Sequence, residues 1–184
     1  MKRIGLLLCI VIAAALCATG QTLIDFSDMP SVNVPVPVPD DYPAGSYLNW
    51  DNFYYVSPLL WSGAGPGFTT GPEIRLAFVG GPMCSTGGMC SASIKVPVTP
   101  NSTASFQPLS ITLSSGWVAN NVVVVAYDHS KFLGSVVWNL TTTAQSFDFP
   151  TYWTTVTQLR FFPSPAQGQQ GSMVIYTLSL NIEP

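Results

Sequence analysis

The chain has 184 residues, of which 8% are charged, with six basic residues, nine acidic residues and one histidine. This length suits one domain with a substantial core. The basic residues beyond the N-terminal segment, Arg75, Lys95, Lys131 and Arg160, are scattered singly, which argues against a surface that follows nucleic-acid phosphates. A surface so poor in charge depends on Ser, Thr, Asn and Gln for solubility, as suits an extracellular protein.

The N-terminal segment has the pattern of a secretory signal peptide. Lys2 and Arg3 precede the apolar run LLLCIVIAAALCA, which is too short to span a bilayer comfortably. Small residues at Ala18 and Gly20 predict cleavage after Gly20, with cleavage after Ala18 as the alternative. We therefore expect residues 1–20 to be removed and residues 21–184 to form a single domain, secreted to the extracellular space.

Short apolar runs, separated by Pro, Gly, Ser and Asn, occupy the rest of the chain. Within 92–98, alternation places Ala92, Ile94, Val96 and Val98 on one face of a strand. About ten short strands without helical periodicity predict an all-β fold, an antiparallel β-sandwich. The predicted strands lie at 22–28, 47–56, 73–79, 92–98, 109–115, 121–128, 134–140, 145–149, 155–162 and 172–182.

The proline-rich segment 31–43, SVNVPVPVPDDYP, cannot form a central strand, because proline lacks the N–H that a sheet requires. We expect it to run as an extended or edge segment along the surface.

The stretch 47–56, YLNWDNFYYV, is unusually rich in aromatic residues. As one strand it would direct its even positions, from Leu48 to Val56, into the core and would display Tyr47, Phe53 and Tyr55 beside Asn49 and Asp51 on the other face. Aromatic rings beside short polar side chains bind sugars, because the ring stacks on C–H groups while the polar groups bond hydroxyls. The alternative is that both faces are buried.

Other aromatic residues lie in loop-like contexts, where binding groups tend to collect. Trp61 and Trp153 are the best candidates for exposed rings on this criterion. The candidate ligand-binding residues are Trp50, Tyr54, Tyr55, Trp61 and Trp153.

Two cysteines remain beyond the signal segment, Cys84 and Cys90, and export makes a disulfide between them the expected state. Zinc is the weaker interpretation, because a site would need two more ligands and the segment offers one histidine and no third cysteine.

Two sequons, at Asn101 and Asn139, are candidate glycosylation sites in a eukaryotic host, with chance occurrence as the alternative.

Several motifs occur together in one order: IDFSDM at 24–29, SYLNWDNFYYV at 46–56, VVVVAYDHSKFLGSVVW at 122–138, FDFP at 147–150 and LRFFPSP at 159–165. Together they resemble secreted jelly-roll domains of galactose-binding-like topology, which include carbohydrate-binding modules and adhesion domains. The resemblance implies a jelly-roll sandwich.

The resemblance also bears on calcium binding. In metal-binding members of these domains, acidic residues of the first and last strands hold a structural calcium. Asp25 and Asp28 match the first-strand positions, but the last strand, VIYTLSL, has no acid and so departs from that pattern.

No catalytic constellation is evident. Asp128, His129 and Ser130 are adjacent, whereas the members of a catalytic triad come from separate segments, and we expect His129 to lie in a solvated turn. The only glutamates are Glu73 and Glu183, so no carboxylate pair for glycoside hydrolysis can be named. We therefore predict a non-catalytic secreted binding module, with a glycan as ligand and with no cofactor, nucleic-acid partner or membrane span in the mature chain. The alternative is a structural or surface-interaction protein of the cell wall or matrix, or a secreted interaction factor, with no small ligand.

Overall fold

The computed structural model describes residues 20–68, 75–80, 90–97, 103–164 and 171–183. Their regular structure consists of antiparallel strands and one short 3₁₀ turn at Pro66–Phe68. No helix among these residues is long and apolar enough to cross a membrane. The strands are β1 Gln21–Ile24, β2 Val36–Pro37, β3 Asn49–Asp51, β4 Tyr54–Val56, β5 Leu76–Gly80, β6 Ala92–Lys95, β7 Ser105–Ser114, β8 Asn120–Asp128, β9 Lys131–Leu140, β10 Gln145–Asp148, β11 Gln158–Pro163 and β12 Ser172–Glu183.

The larger sheet has seven strands in the order β10-β7-β12-β5-β4-β2, with β1 also beside β12. Strand β12 lies against β7 along one edge. Its other edge is shared, because Ser172 to Ile175 pair with β5 and Leu178 to Asn181 pair with β1. Strand β12 therefore joins β1, β5 and β7 within a single sheet.

The smaller sheet has five strands in the order β3-β6-β11-β8-β9. Its register places Lys95 of β6 beside Gln158 of β11, and Gln158 beside Tyr127 of β8. In β11, Leu159 and Phe161 are buried while Gln158, Arg160 and Phe162 are not, as the two-residue period of a strand requires. Strand β11 therefore turns one face to the core and the other to the outer surface of the sheet.

The main core lies between the sheets and forms one connected cluster of buried residues. Alternate residues of the strands point into this core. Ala92, Ile94 and Val96 are buried, as predicted, while Val98 lies outside the described residues. Large rings fill it, with Phe26, Phe53, Phe106, Phe161 and Trp153 among its fully buried side chains. Burial of such rings is the largest favourable contribution to folding in a domain of this kind.

A second cluster lies on the opposite face of the seven-stranded sheet. In β5, Ala77 and Val79 belong to the main core, whereas Leu76 and Phe78 belong to the second cluster. The segment 57–68 covers this face and packs Trp61 and Phe68 against Phe78, with ring centroids 5.3 Å and 5.2 Å from it. The part of the outer face formed by β4, β5 and β12 is therefore covered by the chain's own segment.

The prediction of an antiparallel β-sandwich is confirmed, with twelve strands among the described residues in place of about ten. The proline-rich segment provides β2, a two-residue strand at the edge of the seven-stranded sheet, as expected of an edge segment. The other additional strand arises because the predicted strand 47–56 is two strands.

The prediction of one strand over 47–56 is wrong. Asn52 has φ of 59°, and this residue separates β3, in the smaller sheet, from β4, in the larger one. Because the turn resets the alternation, Phe53 and Tyr55 point into the main core, not toward solvent. Tyr47 is exposed, so the expected display of aromatic rings on the odd face is reduced to this one residue.

Candidate binding face on the five-stranded sheet

The outer face of the five-stranded sheet carries polar side chains at one end and apolar ones at the other. One row of cross-strand neighbours runs Asn49, Lys95, Gln158, Tyr127 and Phe132, from β3 to β9. The next row runs Asp51, Ser93, Arg160, Val125 and Ser135. We call this surface the open face.

A groove with a volume of about 320 Å³ lies in the polar half of the open face. It is built on β3, β6 and β11 and on the residues that adjoin them. Its lining combines hydroxyl, amide, carboxylate and cationic groups with one aromatic ring. The lining residues are Asp51, Asn52, Ser91, Ala92, Ser93, Lys95, Gln158, Arg160 and Phe162.

A chain of side-chain contacts crosses this groove. The Lys95 Nζ lies 2.7 Å from Asp51 Oδ2, and the Ser93 hydroxyl donates to the same oxygen at 2.9 Å. The Gln158 amide donates to Ser93 Oγ at 3.2 Å, and its own oxygen accepts a hydrogen bond from Arg160 Nε at 3.1 Å. The polar groups of three strands are thereby held in one arrangement before any ligand arrives.

Asp51 is ionised in this arrangement. Partial burial acts to raise the pKa of Asp51, but the hydrogen bonds from Lys95 and Ser93 and the charge of Lys95 outweigh it and lower the pKa below its ordinary value. Asp51 therefore presents a carboxylate acceptor to the groove at neutral pH.

Arg160 links the groove to the apolar half of the open face. Its guanidinium carbon lies 5.1 Å from the centroid of the Tyr127 ring, within the range of a cation–π contact. The Tyr127 ring in turn meets Phe132 edge to face at 6.1 Å. Phe132 is 59% exposed and Val137 is 61% exposed, so the apolar half is open to solvent.

Three of the candidate aromatic residues, Trp50, Tyr55 and Trp153, lie in the main core. Trp50 and Tyr55 belong to the stretch 47–56. The Trp50 ring packs edge to face on Phe26 and Phe53, and its indole N–H donates to the Tyr42 carbonyl at 2.6 Å. Tyr55 is buried in the same core. Neither ring forms part of an open platform.

The prediction that Trp153 is exposed is wrong. Its side chain has 0% exposure and packs on Phe149, with ring centroids 6.0 Å apart. The segment that carries it folds back beside Gly134 of β9, where the absence of a side chain leaves room for the indole. A loop-like sequence context therefore did not indicate a surface position here.

Trp61 and Tyr54 lie half-buried on the other sheet, in the second cluster. The Trp61 ring stacks on Phe78 with 26° between the ring planes, and Tyr54 lies 6.2 Å from Phe78. These two residues remain candidates, but the structure separates them from Trp50, Tyr55 and Trp153 and from the groove.

The candidate calcium ligands Asp25 and Asp28 have local partners. Asp25 Oδ1 accepts hydrogen bonds from the backbone N–H and the hydroxyl of Ser27, and these bonds lower its pKa. Asp28 Oδ1 accepts a hydrogen bond from the Tyr42 hydroxyl at 2.6 Å. Nowhere in the described part of the chain do three acidic, histidine or cysteine side chains gather, and calcium binding at Asp25 and Asp28 stays a prediction.

The remaining sites predicted from sequence are only partly described. Cys84, Asn101 and residues 1–19 lie outside the described residues, so the Cys84 to Cys90 disulfide, the first sequon and the signal peptide stay predictions. Asn139 is exposed on β9, and its glycosylation also stays a prediction. His129 is exposed in the turn between β8 and β9, where it has φ of 55°, as expected of a solvated turn.

Sequence reasoning missed the groove. The signal was present in QLRFF at 158–162, where a polar residue, a cation and an aromatic ring alternate with buried Leu159 and Phe161. The partners of these residues, Ser93 and Tyr127, become visible only from the register of β11 with β6 and β8.

The fold is similar to several solved β-sandwich domains. A family 32 carbohydrate-binding module from C. perfringens NanJ, in complex with galactose, is 11% identical, with 73% of this chain and 94% of the module covered and a TM-score of 0.40. A cleaved adhesin domain of Lys-gingipain from Porphyromonas gingivalis is 11% identical, with coverage of 89% and 98% and a TM-score of 0.44. A family 11 carbohydrate-binding module of a cellulosomal cellulase from Clostridium thermocellum is 12% identical, with coverage of 89% and 95% and a TM-score of 0.42.

No protein-family model matches the sequence, and no curated protein matches it significantly. The β-sandwich that the resemblance to jelly-roll domains implies is confirmed by the two antiparallel sheets of the described residues.

Proposed function

We propose that this protein is a secreted, non-catalytic binding module that holds a glycan on the open face. The observation that carries the proposal is the groove, where preorganised donors and acceptors lie beside solvent-exposed aromatic and aliphatic side chains. Sugars present hydroxyl groups at their edges and C–H groups on their faces, so a site for them needs both kinds of partner.

The open face offers polar groups for the hydroxyls of a sugar and an aromatic ring for its C–H face. Asp51 accepts hydrogen bonds, Lys95 donates them, and the hydroxyl and amide groups of Ser93, Asn52 and Gln158 can supply both. Phe132 offers an exposed ring for contact with the face of a sugar. Because these groups stand on paired strands, little conformational entropy is lost when a ligand binds.

The groove lining argues against hydrolysis of the bound glycan. Of the side chains that line it, Asp51 alone is a carboxylic acid, and it is paired with Lys95. Retaining and inverting glycosidases use two carboxyl groups on either side of the scissile bond. The proposal is therefore binding without turnover.

The proposal includes export after cleavage behind Gly20. It is supported by the position of β1, which begins at Gln21, the first residue after the predicted cut. Expression of the full chain in a secreting host should yield an extracellular product whose intact mass corresponds to a start at Gln21. A product that retains residues 1–20 would contradict export by cleavage.

The binding function is tested with this secreted product on a glycan array and in pull-downs with insoluble polysaccharides. Phe132→Ala and Gln158→Ala should each weaken binding by roughly 2- to 10-fold, because each removes one stacking or hydrogen-bonding partner. Tyr152→Ala is the matched control, since Tyr152 is a similarly exposed ring outside the rows of residues that define the open face. Silence across arrays and polysaccharides, or equal losses in the control, would reject the proposal.

A second candidate function is that of a structural or surface-interaction protein of the cell wall or matrix. It is favoured by Leu59 and Leu60, which are 72% and 55% exposed in the turn that precedes Trp61. Replacement of both leucines by serine should abolish attachment to wall or matrix preparations under this alternative and should leave glycan binding on the open face unchanged.

A further inference from the structure

We infer that the groove takes an anionic glycan, with Arg160 as the residue that binds its carboxylate or sulfate group. The inference rests on the proposed glycan-binding function and adds the chemical class of the ligand. It follows from the charges of the groove and from the way in which the guanidinium is held.

The groove carries an excess of positive charge in an acidic protein. The whole chain has a formal net charge of −3, yet the groove holds Lys95 and Arg160 against Asp51 alone. The carboxylate of Asp51 lies 2.7 Å from the Lys95 ammonium, so these two charges offset each other. Within the described ranges Arg160 forms no ion pair, and its positive charge is left for a ligand.

The Arg160 guanidinium is fixed on two sides. Its carbon lies over the Tyr127 ring, 5.1 Å from the ring centroid, and Gln158 Oε1 accepts the Nε hydrogen bond at 3.1 Å. Gln158 is itself held by the Ser93 hydroxyl at 3.2 Å. The guanidinium therefore loses little rotational freedom when it binds a ligand.

The N–H groups on the two terminal nitrogens of Arg160 have no protein acceptor among the described residues, and the side chain is exposed. A pair of parallel N–H donors matches the two oxygens of a carboxylate or the oxygens of a sulfate. A neutral sugar hydroxyl can accept one such bond but cannot compensate the charge. The fixed plane, the free donors and the unpaired charge together favour an acidic sugar.

The test compares polymers that differ only in charge. The secreted protein is titrated calorimetrically with polygalacturonate and its methyl ester, and with dextran sulfate and dextran. We expect binding of the carboxylated or the sulfated polymer, with the neutral counterpart roughly 10-fold weaker or more, and the arm that binds identifies the anionic group. Affinity for the anionic polymer should fall as salt is raised.

Two variants locate the effect at Arg160. Arg160→Gln removes the positive charge of the guanidinium. Gln158→Glu offsets that charge with a carboxylate in place of the amide that accepts the hydrogen bond from Arg160 Nε. Each should weaken anionic binding roughly 10- to 100-fold. Lys131→Gln is the matched control, because it removes one exposed positive charge outside the groove and should leave affinity within about 2-fold. Arg160→Lys keeps the charge without the planar pair of donors and should recover only part of the affinity.

The outcomes separate this inference from the function on which it rests. Equal binding of charged and neutral polymers, or equal losses in Arg160→Gln and Lys131→Gln, would overturn the anionic ligand. Binding of neutral glycans that Phe132→Ala weakens and Arg160→Gln does not would overturn it while supporting the glycan-binding function. Absence of binding to every polymer would overturn both.

Discussion

The outer faces of the two sheets differ in what covers them. On the seven-stranded sheet, the segment 57–68 lays Trp61 and Phe68 over Phe78, and the result is a second apolar cluster. On the five-stranded sheet, the corresponding surface carries an ordered chain of polar side chains and the exposed ring of Phe132. One face is used for stability, and the other is available to a ligand.

This difference shows that abundance of aromatic rings is a poor guide to binding in this molecule. The ring-rich stretch 47–56 places Trp50, Phe53 and Tyr55 in the main core. The open face uses few rings, and they stand among groups that donate and accept hydrogen bonds. The mixture of chemistries, held in register by the sheet, distinguishes the candidate site.

The largest expected effect is a contrast between two phenylalanines, one on each face. Phe78→Ala should lower the free energy of unfolding by about 3–5 kcal/mol, because it leaves a cavity beneath Trp61 and Phe68. Phe132→Ala should change it by no more than about 0.5 kcal/mol, because the ring is exposed. Urea denaturation measures both, and similar losses would remove the distinction between covered and open faces.

Gly67→Ala should disturb the segment 57–68, which covers the second cluster. An added Cβ would overlap the carbonyl oxygen of Ser115, so the segment 57–68 would have to shift. We expect a loss of about 1–3 kcal/mol in unfolding free energy, together with a changed tryptophan emission spectrum. Ser62→Ala, an exposed change in the same segment, serves as the control and should have no effect. An unchanged melting temperature in Gly67→Ala would show that the cover is not rigidly seated.

Tyr42→Phe tests a hydrogen bond at the border of the core. Losing the bond to Asp28 should cost about 1 kcal/mol near neutral pH. Burial, and then the hydrogen bond and charge of Asp28, raise the pKa of Tyr42 far above its ordinary value of 10.0. Because the folded-state pKa is raised, this stabilisation is complete below pH 10.0 and declines as the pH rises above it.

The variant lacks the tyrosine that titrates, so the difference in stability between the two proteins should shrink on the alkaline side. Thermal unfolding from about pH 8 to about pH 11 measures this difference. A difference that stays constant across the range would contradict the assignment to Tyr42.

Asp51→Asn should have a smaller effect on stability than Phe78→Ala, Gly67→Ala or Tyr42→Phe, because the ion pair with Lys95 lies on the open face. The two side chains are 44% and 38% exposed, and such pairs contribute less than about 1 kcal/mol. The lowered pKa of Asp51 means that its contribution is present above the ordinary value of 3.8 and is lost as the pH falls through the folded-state value below it. Acid titration of unfolding should show the two proteins converging at low pH, and a loss of several kcal/mol at pH 7 would contradict the exposed geometry.

The fold was largely predictable from local patterns. Two-residue alternation and frequent Pro and Gly identified most strands, because these features depend only on near neighbours in sequence. The break at Asn52 was missed, although Asn is one of the residues that accept a positive φ most readily. The local sequence does not show that the residues before Asn52 join one sheet and the residues after it join the other.

The candidate site was much less predictable. Whether a ring such as Trp153 is buried depends on which strand its segment folds against, and that is set by distant parts of the chain. Arg160 and Tyr127 meet only through the register of β11 and β8. Residue type alone, as at Trp50, could not separate a core ring from a binding ring.

The sharing of β12 among β7, β5 and β1 also constrains how the molecule acquires its structure. Gln21 pairs with Asn181, so β1 has no partner strand in its sheet until β12 has been synthesised, about 150 residues later. Such distant pairing gives a high contact order and slow folding. The early strands therefore wait with unpaired edges, the state in which a nascent chain depends most on chaperones.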